Sequence, residues 1–271
     1  MIIISNKPGQ LGNLLFIYAH FLAFGIETNV AVLNPSFYSY RAYFSITSQP
    51  SITGNKLFYT CCYFFARILV KLKVKNRFLN VMALDWGETA DLEDAAALRS
   101  TLCFVQGWLF RSDKLFKKHS KEIKDFFEPA EIYKNKLTAF FNHHFPGKNE
   151  CIVGIHIRRG DYKTFEDGKY YYTVDEYINV IKQVAVLFKS NNPHFLICSN
   201  ETIDLGEAGK NLKITYAPGH ELLDMYCLAN CSYIVGPPST YSMWASFYGT
   251  VPLYMIKDLA TKISINDFKQ A

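Results

Sequence analysis

The sequence predicts an α/β protein built from two doubly wound halves. In the second half of the chain, apolar segments of strand character alternate with amphipathic segments of helical period. The first half opens in the same way, with a strand, a glycine-bearing loop and an apolar helix. Repeated β–α units of this length imply parallel strands joined by right-handed crossovers. We therefore expect a parallel sheet in each half and a central cleft between them.

The chain is long enough for two small domains, with 271 residues of which 49% are hydrophobic. The strongest linker signal is the Pro-Gly-Lys-Asn segment over 146–149. It predicts an N-terminal domain over 1–147 and a C-terminal domain over 148–271. The net charge of +5 is too small and too scattered to indicate a protein that binds nucleic acid.

The first half begins with a predicted strand over 1–5, a glycine loop over 6–13 and an apolar helix over 14–24. Such a loop lets backbone N–H groups approach a ligand closely. It lacks the Gly-x-Gly-x-x-Gly fingerprint of dinucleotide-binding domains and the Gly-Lys-Ser/Thr of a P-loop. A plain strand–helix turn explains the loop about as well. The other elements predicted here are strands over 29–33 and 102–106, an irregular stretch over 35–55, a helix over 113–127 and another from Pro129.

The most apolar segment, 57–70, predicts a helix that is too short to cross a bilayer. Five apolar side chains in this segment and directly after it recur at helical spacing: Phe58, Cys62, Phe65, Leu69 and Leu72. We expect this amphipathic helix to be buried. A basic run follows it and could contact anionic lipid, which leaves open a peripheral position at the inner membrane surface: Lys71, Lys73, Lys75 and Arg77.

Cysteine usage and the amino terminus indicate a cytoplasmic protein. The seven cysteines lie mostly in apolar strand or helix contexts, and none of their spacings matches a zinc site. We expect them to be reduced. The first residues run directly into a loop, without a basic start or a cleavage site, so no signal peptide is predicted.

The second half alternates strands and helices regularly. A capping box over 173–176 opens one of the helices. The predicted strands lie over 151–158, 194–198, 212–216, 232–235 and 251–256, and the predicted helices over 174–189, 220–230 and 241–248.

Polar side chains follow three of these strands at the point where each strand ends. They are Arg158, Arg159 and Asp161, then Ser199 and Asn200, then Ser239 and Thr240. Ligands of open α/β sheets bind at this edge. Arginine suits bidentate phosphate recognition, and hydroxyls at a helix start bind phosphate oxygens. An ordinary surface turn and an ordinary helix cap are the alternatives, but together these residues favour a diphosphate site.

A metal-bound nucleotide site is disfavoured because no Asp-x-Asp motif follows a strand. Asp91 and Asp94 lie in a segment that is typical of a helix start. The sequence also lacks a Gly-x-Ser-x-Gly nucleophile elbow.

At this point the residues resemble a known family. Segment 154–162, Gly-Ile-His-Ile-Arg-Arg-Gly-Asp-Tyr, resembles the His-x-Arg-Arg-x-Asp motif of α-1,2-fucosyltransferases. Segment 9–19 resembles the amino-terminal Gly-Gly-Leu-Gly-Asn-Gln-Met-Phe motif of the same family, with Leu-Leu in place of Gln-Met. Segments 106–116 and 224–245 resemble two further family blocks, the last with Pro-Pro in its Ser-rich loop. These four motifs occur in the family's order.

The resemblance implies a GT-B-like fold and an inverting, metal-independent transfer of L-fucose from GDP-β-L-fucose, with no cofactor. The acceptor hydroxyl would be galactose O2 of an oligosaccharide or lipid-linked glycan. The roles implied for single residues are diphosphate contact by Arg158, nucleotide-pocket positions for His156 and Asp161, phosphate contacts by Ser239 and Thr240, and cleft positions for Gly12 and Asn13.

An inverting displacement also needs a general base for the acceptor hydroxyl. Glu166 stands where related α-1,6 enzymes have a candidate catalytic Glu, and Asp161 is the other choice. An exposed loop acid is the alternative for Glu166. Two other functions stay open: transfer from a different nucleotide sugar on the same fold, and a catalytically inactive glycan-binding protein, which the Pro-Pro loop suggests.

Overall fold

The computed structural model of the chain describes residues 1–6, 8–47, 56–74, 76, 78–85, 87–94, 98, 102–147 and 150–271. These residues form two compact units, Met1–Ile132 and Tyr133–Ala271. The predicted boundary at 147/148 lies after the helix that begins the second unit. Two residues of the predicted linker, Lys148 and Asn149, lie outside the described part of the chain.

The first unit is built on a parallel sheet of four strands. Its strands are β1 (Ile2–Ile4), β2 (Val32–Leu33), β3 (Leu79–Ala83) and β5 (Leu102–Gln106), in the order β2-β1-β5-β3. Strands β4 (Ala90–Asp91) and β6 (Phe110–Arg111) pair in a separate parallel ladder. The helices are α1 (Leu11–Thr28), α2 (Lys56–Lys71), α3 (Asp113–Lys118) and α4 (Ser120–Phe126), and a 3₁₀ helix spans Pro35–Tyr43.

Several sequence predictions for this unit are wrong in detail. Helix α1 is longer than predicted and ends at Thr28. Asn29 caps it with a left-handed backbone, and its N–H donates to the carbonyl of Gly25. The single helix expected over 113–127 is divided between α3 and α4. Asp91 lies in a strand, not at a helix start, and strand β3 was not predicted.

Aromatic side chains form much of the core of the first unit. The Tyr18 ring contacts the rings of Phe37 and Phe127 edge to face, with centroids 5.3 and 5.7 Å apart. Phe44 also packs on Phe127 at 5.4 Å. Helix α1 is long and apolar enough to cross a membrane, but most of it is buried in this core. Its composition is therefore explained by packing.

Helix α2 is not buried as the sequence predicted. Ala66 and Val70 pack against Ile3 and Phe104 of the sheet. Of the five residues predicted to face the core, Phe58, Phe65 and Leu72 are instead exposed, whereas Cys62 and Leu69 are partly buried. The fully buried contacts with the sheet are therefore made by small side chains, and several large ones are exposed to solvent.

The second unit contains a five-stranded parallel sheet in the order β11-β10-β7-β8-β9. Its strands are β7 (Ile152–Ile157), β8 (His194–Ser199), β9 (Lys213–Tyr216), β10 (Tyr233–Gly236) and β11 (Leu253–Met255). The helices are α5 (Glu131–His144), α6 (Val174–Leu187), α7 (Gly206–Gly209), α8 (Glu221–Ala229) and α9 (Thr240–Gly249). Every strand that the sequence predicted in this unit is present.

Strand β7 lies in the middle of the sheet, and all six of its residues are buried. Gly154 makes this packing feasible, because a Cβ there would approach Leu228 of α8 to 2.5 Å. Helix α6 begins with the predicted capping box, in which Thr173 and Glu176 bond each other's backbone N–H. Strand order reverses between β7 and β10, so the unit has the doubly wound topology with a switch point between these two strands.

Candidate active site

The strongest candidate site lies at the carboxyl ends of β7 and β10. In open parallel sheets, ligands bind in the crevice where the strand order reverses, beyond the carboxyl ends of the strands. Here β7 runs into Arg158 and Arg159, and β10 runs into the loop before α9. The side chains that sequence analysis singled out after these two strands are therefore neighbours in the second unit.

Arg158 is held in a fixed orientation by Asp161. Its Nε and Nη2 donate to the two carboxylate oxygens at 3.1 and 2.7 Å, a bidentate pair. The guanidinium also lies 5.0 Å from the ring centroid of Tyr162. The hydrogen bonds from Arg158 hold the pKa of Asp161 below its ordinary value. A mostly buried cation with a fixed plane suits an anionic ligand at the switch point.

Arg159 points to different partners. Its Nη1 lies 3.0 Å from Oε1 of Glu201, and its Nη2 donates to the Tyr171 hydroxyl at 2.8 Å. Its backbone N–H donates to Oδ1 of Asn200. These contacts give Arg159 a structural role, in which it ties the end of β7 to the segment after β8.

His156 is buried beneath the site and contributes a neutral imidazole. Burial, followed by the nearby charge of Arg158, lowers the pKa of His156 to about 3. Its ring lies 5.0 Å from that of Tyr241 on α9. Among the described residues, its Nδ1 has no hydrogen-bond partner. On β10, a Cβ at Gly236 would come within 2.9 Å of the His156 carbonyl oxygen, so glycine permits this close strand approach.

The loop after β10 forms an intact helix start despite its Pro-Pro sequence. Ser239 is the N-cap of α9, and its hydroxyl accepts from the N–H of Tyr241 at 3.2 Å. The hydroxyl of Tyr162 donates to the carbonyl of Pro238 at 2.6 Å. This bond joins the loop after β7 to the loop after β10 across the switch point. Thr240 is the first residue of α9, at the positive end of its dipole.

A groove of about 580 Å³ continues the site along the ends of β8 and β9. This volume is in the usual range for small-molecule sites. Side chains of Ser199, Asn200, Tyr216 and Asp224 line it. The Ser199 hydroxyl accepts from the N–H of Glu201 at 3.2 Å, and Asn200 lies against Gly160. Both residues therefore lie at the predicted edge of the sheet.

Asp224 is a candidate site residue that sequence analysis missed. It lies in the first turn of α8, is nearly buried, and accepts from the N–H groups of Gly219 and His220 at 3.0 and 3.2 Å. Burial raises the pKa of Asp224 to about 6. The sequence offers one weak signal, a single acid in the otherwise apolar segment 222–229, because a buried carboxylate needs hydrogen-bond partners.

The two candidate bases differ in their surroundings. Asp161 is engaged by Arg158, which makes it a weak proton acceptor. Glu166 lies in a 3₁₀ turn over Phe165–Gly168, has a left-handed backbone with φ of 47°, and is exposed. Its turn is anchored by Phe165, whose ring stacks on that of Tyr162 at 5.2 Å.

Gly12 and Asn13 belong to the first unit, in the first turn of α1. Gly12 is buried and Asn13 is half-buried. Gly9 has a φ of +68°, and a Cβ there would meet Nδ2 of Asn13 at 2.5 Å. The glycine loop therefore brings its backbone close to the Asn13 side chain. A cleft position for these two residues stays a prediction.

In the part of the chain that the structure describes, no group of three or more His, Cys, Asp or Glu side chains is placed to hold a metal ion. Arg158 is the charged group that the switch point offers to an anion. Transfer without a metal or another cofactor stays a prediction.

Comparison with protein families identifies the chain. Residues 107–258, more than half of the sequence, match the model of glycosyl transferase family 11. The chain belongs to this family. The resemblance to fucosyltransferases inferred from the motifs is thereby confirmed, and the protein is a glycosyltransferase. The match includes Arg158, Asp224 and Ser239. No curated protein matches the chain in sequence.

Solved structures of fucosyltransferases share the fold. A mutant of Arabidopsis thaliana FUT1 in complex with GDP is 11% identical, with a TM-score of 0.63 over 94% of this chain and 70% of that one. Fucosyltransferase NodZ from Bradyrhizobium is 15% identical, with a TM-score of 0.56 over 94% of both chains. POFUT1 in complex with GDP-fucose is 12% identical, with a TM-score of 0.56 over 91% of this chain and 93% of that one. The predicted GT-B-like α/β class is confirmed.

Proposed function

We propose that this glycosyltransferase moves L-fucose from GDP-β-L-fucose to a hydroxyl of a glycan acceptor, with galactose O2 as the expected position. The observation that carries the proposal is the place of Arg158, a mostly buried guanidinium at the switch point of a doubly wound sheet. The acceptor would be an oligosaccharide or a lipid-linked glycan, met in the cytoplasm. GDP and GDP-fucose complexes of proteins with the same fold support this donor.

The diphosphate of the donor would lie between the ends of β7 and β10. Arg158 would neutralise the leaving diphosphate with a fixed positive charge, in place of a metal ion. The N-terminus of α9, which begins at Ser239 and Thr240, would bind the phosphate oxygens on the other side with its positive dipole end. The Tyr162–Pro238 hydrogen bond joins the two loops that would carry these phosphate contacts.

The reaction would be a single displacement with inversion. The acceptor oxygen forms a bond to the anomeric carbon as the bond from that carbon to the diphosphate oxygen breaks. The electron pair of the broken bond leaves with GDP, where Arg158 offsets the new charge. The proton of the acceptor hydroxyl goes to a general base, for which Glu166 is the better candidate because Asp161 is engaged by Arg158.

The guanine base would occupy the groove at the ends of β8 and β9. Guanine presents two adjacent N–H donors, at N1 and N2, and an ionised carboxylate accepts both. Asp224 lines the groove and supplies such a carboxylate. Tyr216 is half-exposed there and offers an aromatic face for the base.

The affinity for a GDP-sugar is expected to fall as the pH drops. The carboxylate of Asp224 must be ionised to accept the two N–H groups, and its pKa is about 6. Between pH 7.5 and pH 5 the ionised fraction falls about tenfold, and the affinity with it. Isothermal titration with GDP-fucose measures this, because its doubly esterified diphosphate does not titrate in that range.

Asp224→Asn is the matched control for the pH experiment. This variant should bind more weakly at pH 7.5 and lose the pH dependence. Cys198 and Tyr241, which lie near Asp224, stay neutral throughout because burial raises the pKa of each well above its ordinary value. If Asp224→Asn kept the pH dependence of the wild type, Asp224 would not be the residue that binds guanine.

The donor itself is tested with a panel of nucleotide sugars. The protein is incubated with GDP-fucose, GDP-mannose, UDP-galactose and UDP-glucose, and released nucleoside diphosphate is measured with and without lactose as a galactoside acceptor. We expect release from GDP-fucose that lactose accelerates, with a fucosylated product. Release from another donor alone would replace fucose by that sugar. Binding of the galactoside without turnover of any donor would indicate an inactive glycan-binding protein.

A further inference from the structure

Helix α2 presents a continuous stripe of large apolar side chains to solvent. At about 100° per residue, Leu57, Phe64, Phe65 and Ile68 fall on one side of the helix. Each of them is more than half exposed, between 55 and 67%. Ala66 and Val70, on the opposite side, pack on the sheet of the first unit. The outward stripe is therefore a second apolar face, additional to the one that holds the helix in place. Phe65 lies at the edge of this stripe, where its ring also contacts that of Phe104 at 6.2 Å.

The charged residues of α2 itself are all basic. Lys56, Arg67 and Lys71 lie along one edge of the stripe by the same helical spacing, and each is exposed. Lys73 follows directly after the helix and is also exposed. The sequence contains no Asp or Glu between Glu27 and Asp85. An apolar stripe with a basic edge and no acid is typical of a helix that lies in a membrane interface.

We propose that the outer face of α2 docks on an anionic membrane surface, with the helix parallel to the bilayer plane. Leu57, Phe64, Phe65 and Ile68 would enter the acyl boundary, and the cationic side chains would contact phosphate headgroups. A second copy of the chain fits this face less well, since it would add a second set of cations with no nearby acid in the segment to offset them. Docking of this kind would hold the enzyme where lipid-linked acceptors are found.

The test is binding of the full chain to vesicles. Wild-type protein is mixed with vesicles of 70% phosphatidylcholine and 30% phosphatidylglycerol, or of phosphatidylcholine alone, and bound protein is separated by flotation. We expect binding to the anionic vesicles that weakens as salt is raised. Phe64→Glu/Ile68→Glu should lower this binding at least tenfold. Both positions are exposed, so thermal unfolding and GDP binding should match the wild type.

Val186→Glu is the matched control, because Val186 is 74% exposed on a helix of the second unit and lies outside the stripe. It should bind vesicles as the wild type does. Lys71→Glu/Lys73→Glu should reduce binding to anionic vesicles and weaken its salt dependence, because Lys56 and Arg67 remain. Equal binding by Phe64→Glu/Ile68→Glu, or no binding of the wild type to anionic vesicles, would overturn the proposal. If the wild type forms dimers at high concentration and only Phe64→Glu/Ile68→Glu abolishes them, the face binds a second copy of the chain instead.

Cys61 provides a readout of insertion that does not depend on affinity. It is exposed and lies within the stripe between Leu57 and Ile68. An environment-sensitive dye on Cys61 should shift to shorter wavelength when anionic vesicles are added. The same labelling of Cys61→Ser gives the background from the other thiols. A dye spectrum unchanged by vesicles would contradict insertion of this face even if the protein floats with them.

Discussion

Replacing Arg158 by alanine is expected to lower kcat for glycosyl transfer about a hundredfold to a thousandfold. The Arg158 guanidinium lies at the switch point. Its attraction to the diphosphate would be strongest in the transition state, when negative charge builds up on the leaving group. GDP binding should weaken as well, because the leaving group and the product carry the same phosphates. Product formation from GDP-fucose and titration with GDP measure the two effects separately.

Two further variants separate charge from geometry at this position. Arg158→Lys keeps the positive charge but loses the bidentate pair with Asp161, so we expect kcat between those of the wild type and Arg158→Ala. Arg159→Ala is the matched control, because Arg159 is bound to Glu201 and Tyr171. It should reduce stability and leave kcat within about tenfold. A larger loss of kcat in Arg159→Ala than in Arg158→Ala would exchange the roles of the two arginines.

Replacing Glu166 by glutamine is expected to lower kcat about a hundredfold or more while GDP affinity stays unchanged. Glutamine keeps the shape of the side chain and cannot take the acceptor proton. The exposed position of Glu166 leaves it accessible to an acceptor, and Arg158 depresses the basicity of the alternative, Asp161. Turnover with saturating donor and acceptor gives kcat, and titration gives GDP affinity.

Asp161→Asn should instead affect GDP affinity and kcat together, because Asp161 acts through Arg158. Asparagine keeps one acceptor oxygen but loses the charge that fixes the Arg158 guanidinium, so GDP affinity should change. If Asp161→Asn instead lowers kcat with GDP affinity intact, and Glu166→Gln behaves as the wild type, Asp161 is the base. Glu166 would then be an ordinary exposed loop acid.

The site in the second unit could be predicted largely from the sequence. A wholly apolar strand followed at once by Arg158 and Arg159 defines both the strand and its carboxyl end, because burial on both faces demands an uninterrupted apolar run. Parallel strands then bring their carboxyl ends to one edge, so Ser199, Asn200 and Ser239 follow from topology. The capping box of α6 is equally local. Each of these inferences needs only the local sequence and the rule that successive β–α units form a parallel sheet.

Other features depended on contacts between distant segments. Asp224 joins the site because the end of β9 and the start of α8 enclose its carboxylate, and no local pattern marks that enclosure. Likewise, spacing along the chain does not separate the two arginines after β7, although the family resemblance implies diphosphate contact for Arg158. The structure adds their partners: Asp161 holds Arg158 at the switch point, and Glu201 ties Arg159 to the segment after β8.

Helix α2 shows the same division most directly. Its sequence alone determined that it is a helix with an apolar stripe, since helical spacing is a local property. Which stripe meets the sheet was decided by the tertiary structure. The space above β3 and β5 accepts the small side chains of Ala66 and Val70, so the larger Phe64 and Ile68 remain outside. Periodicity shows that a helix has an apolar face, but only packing shows what covers it.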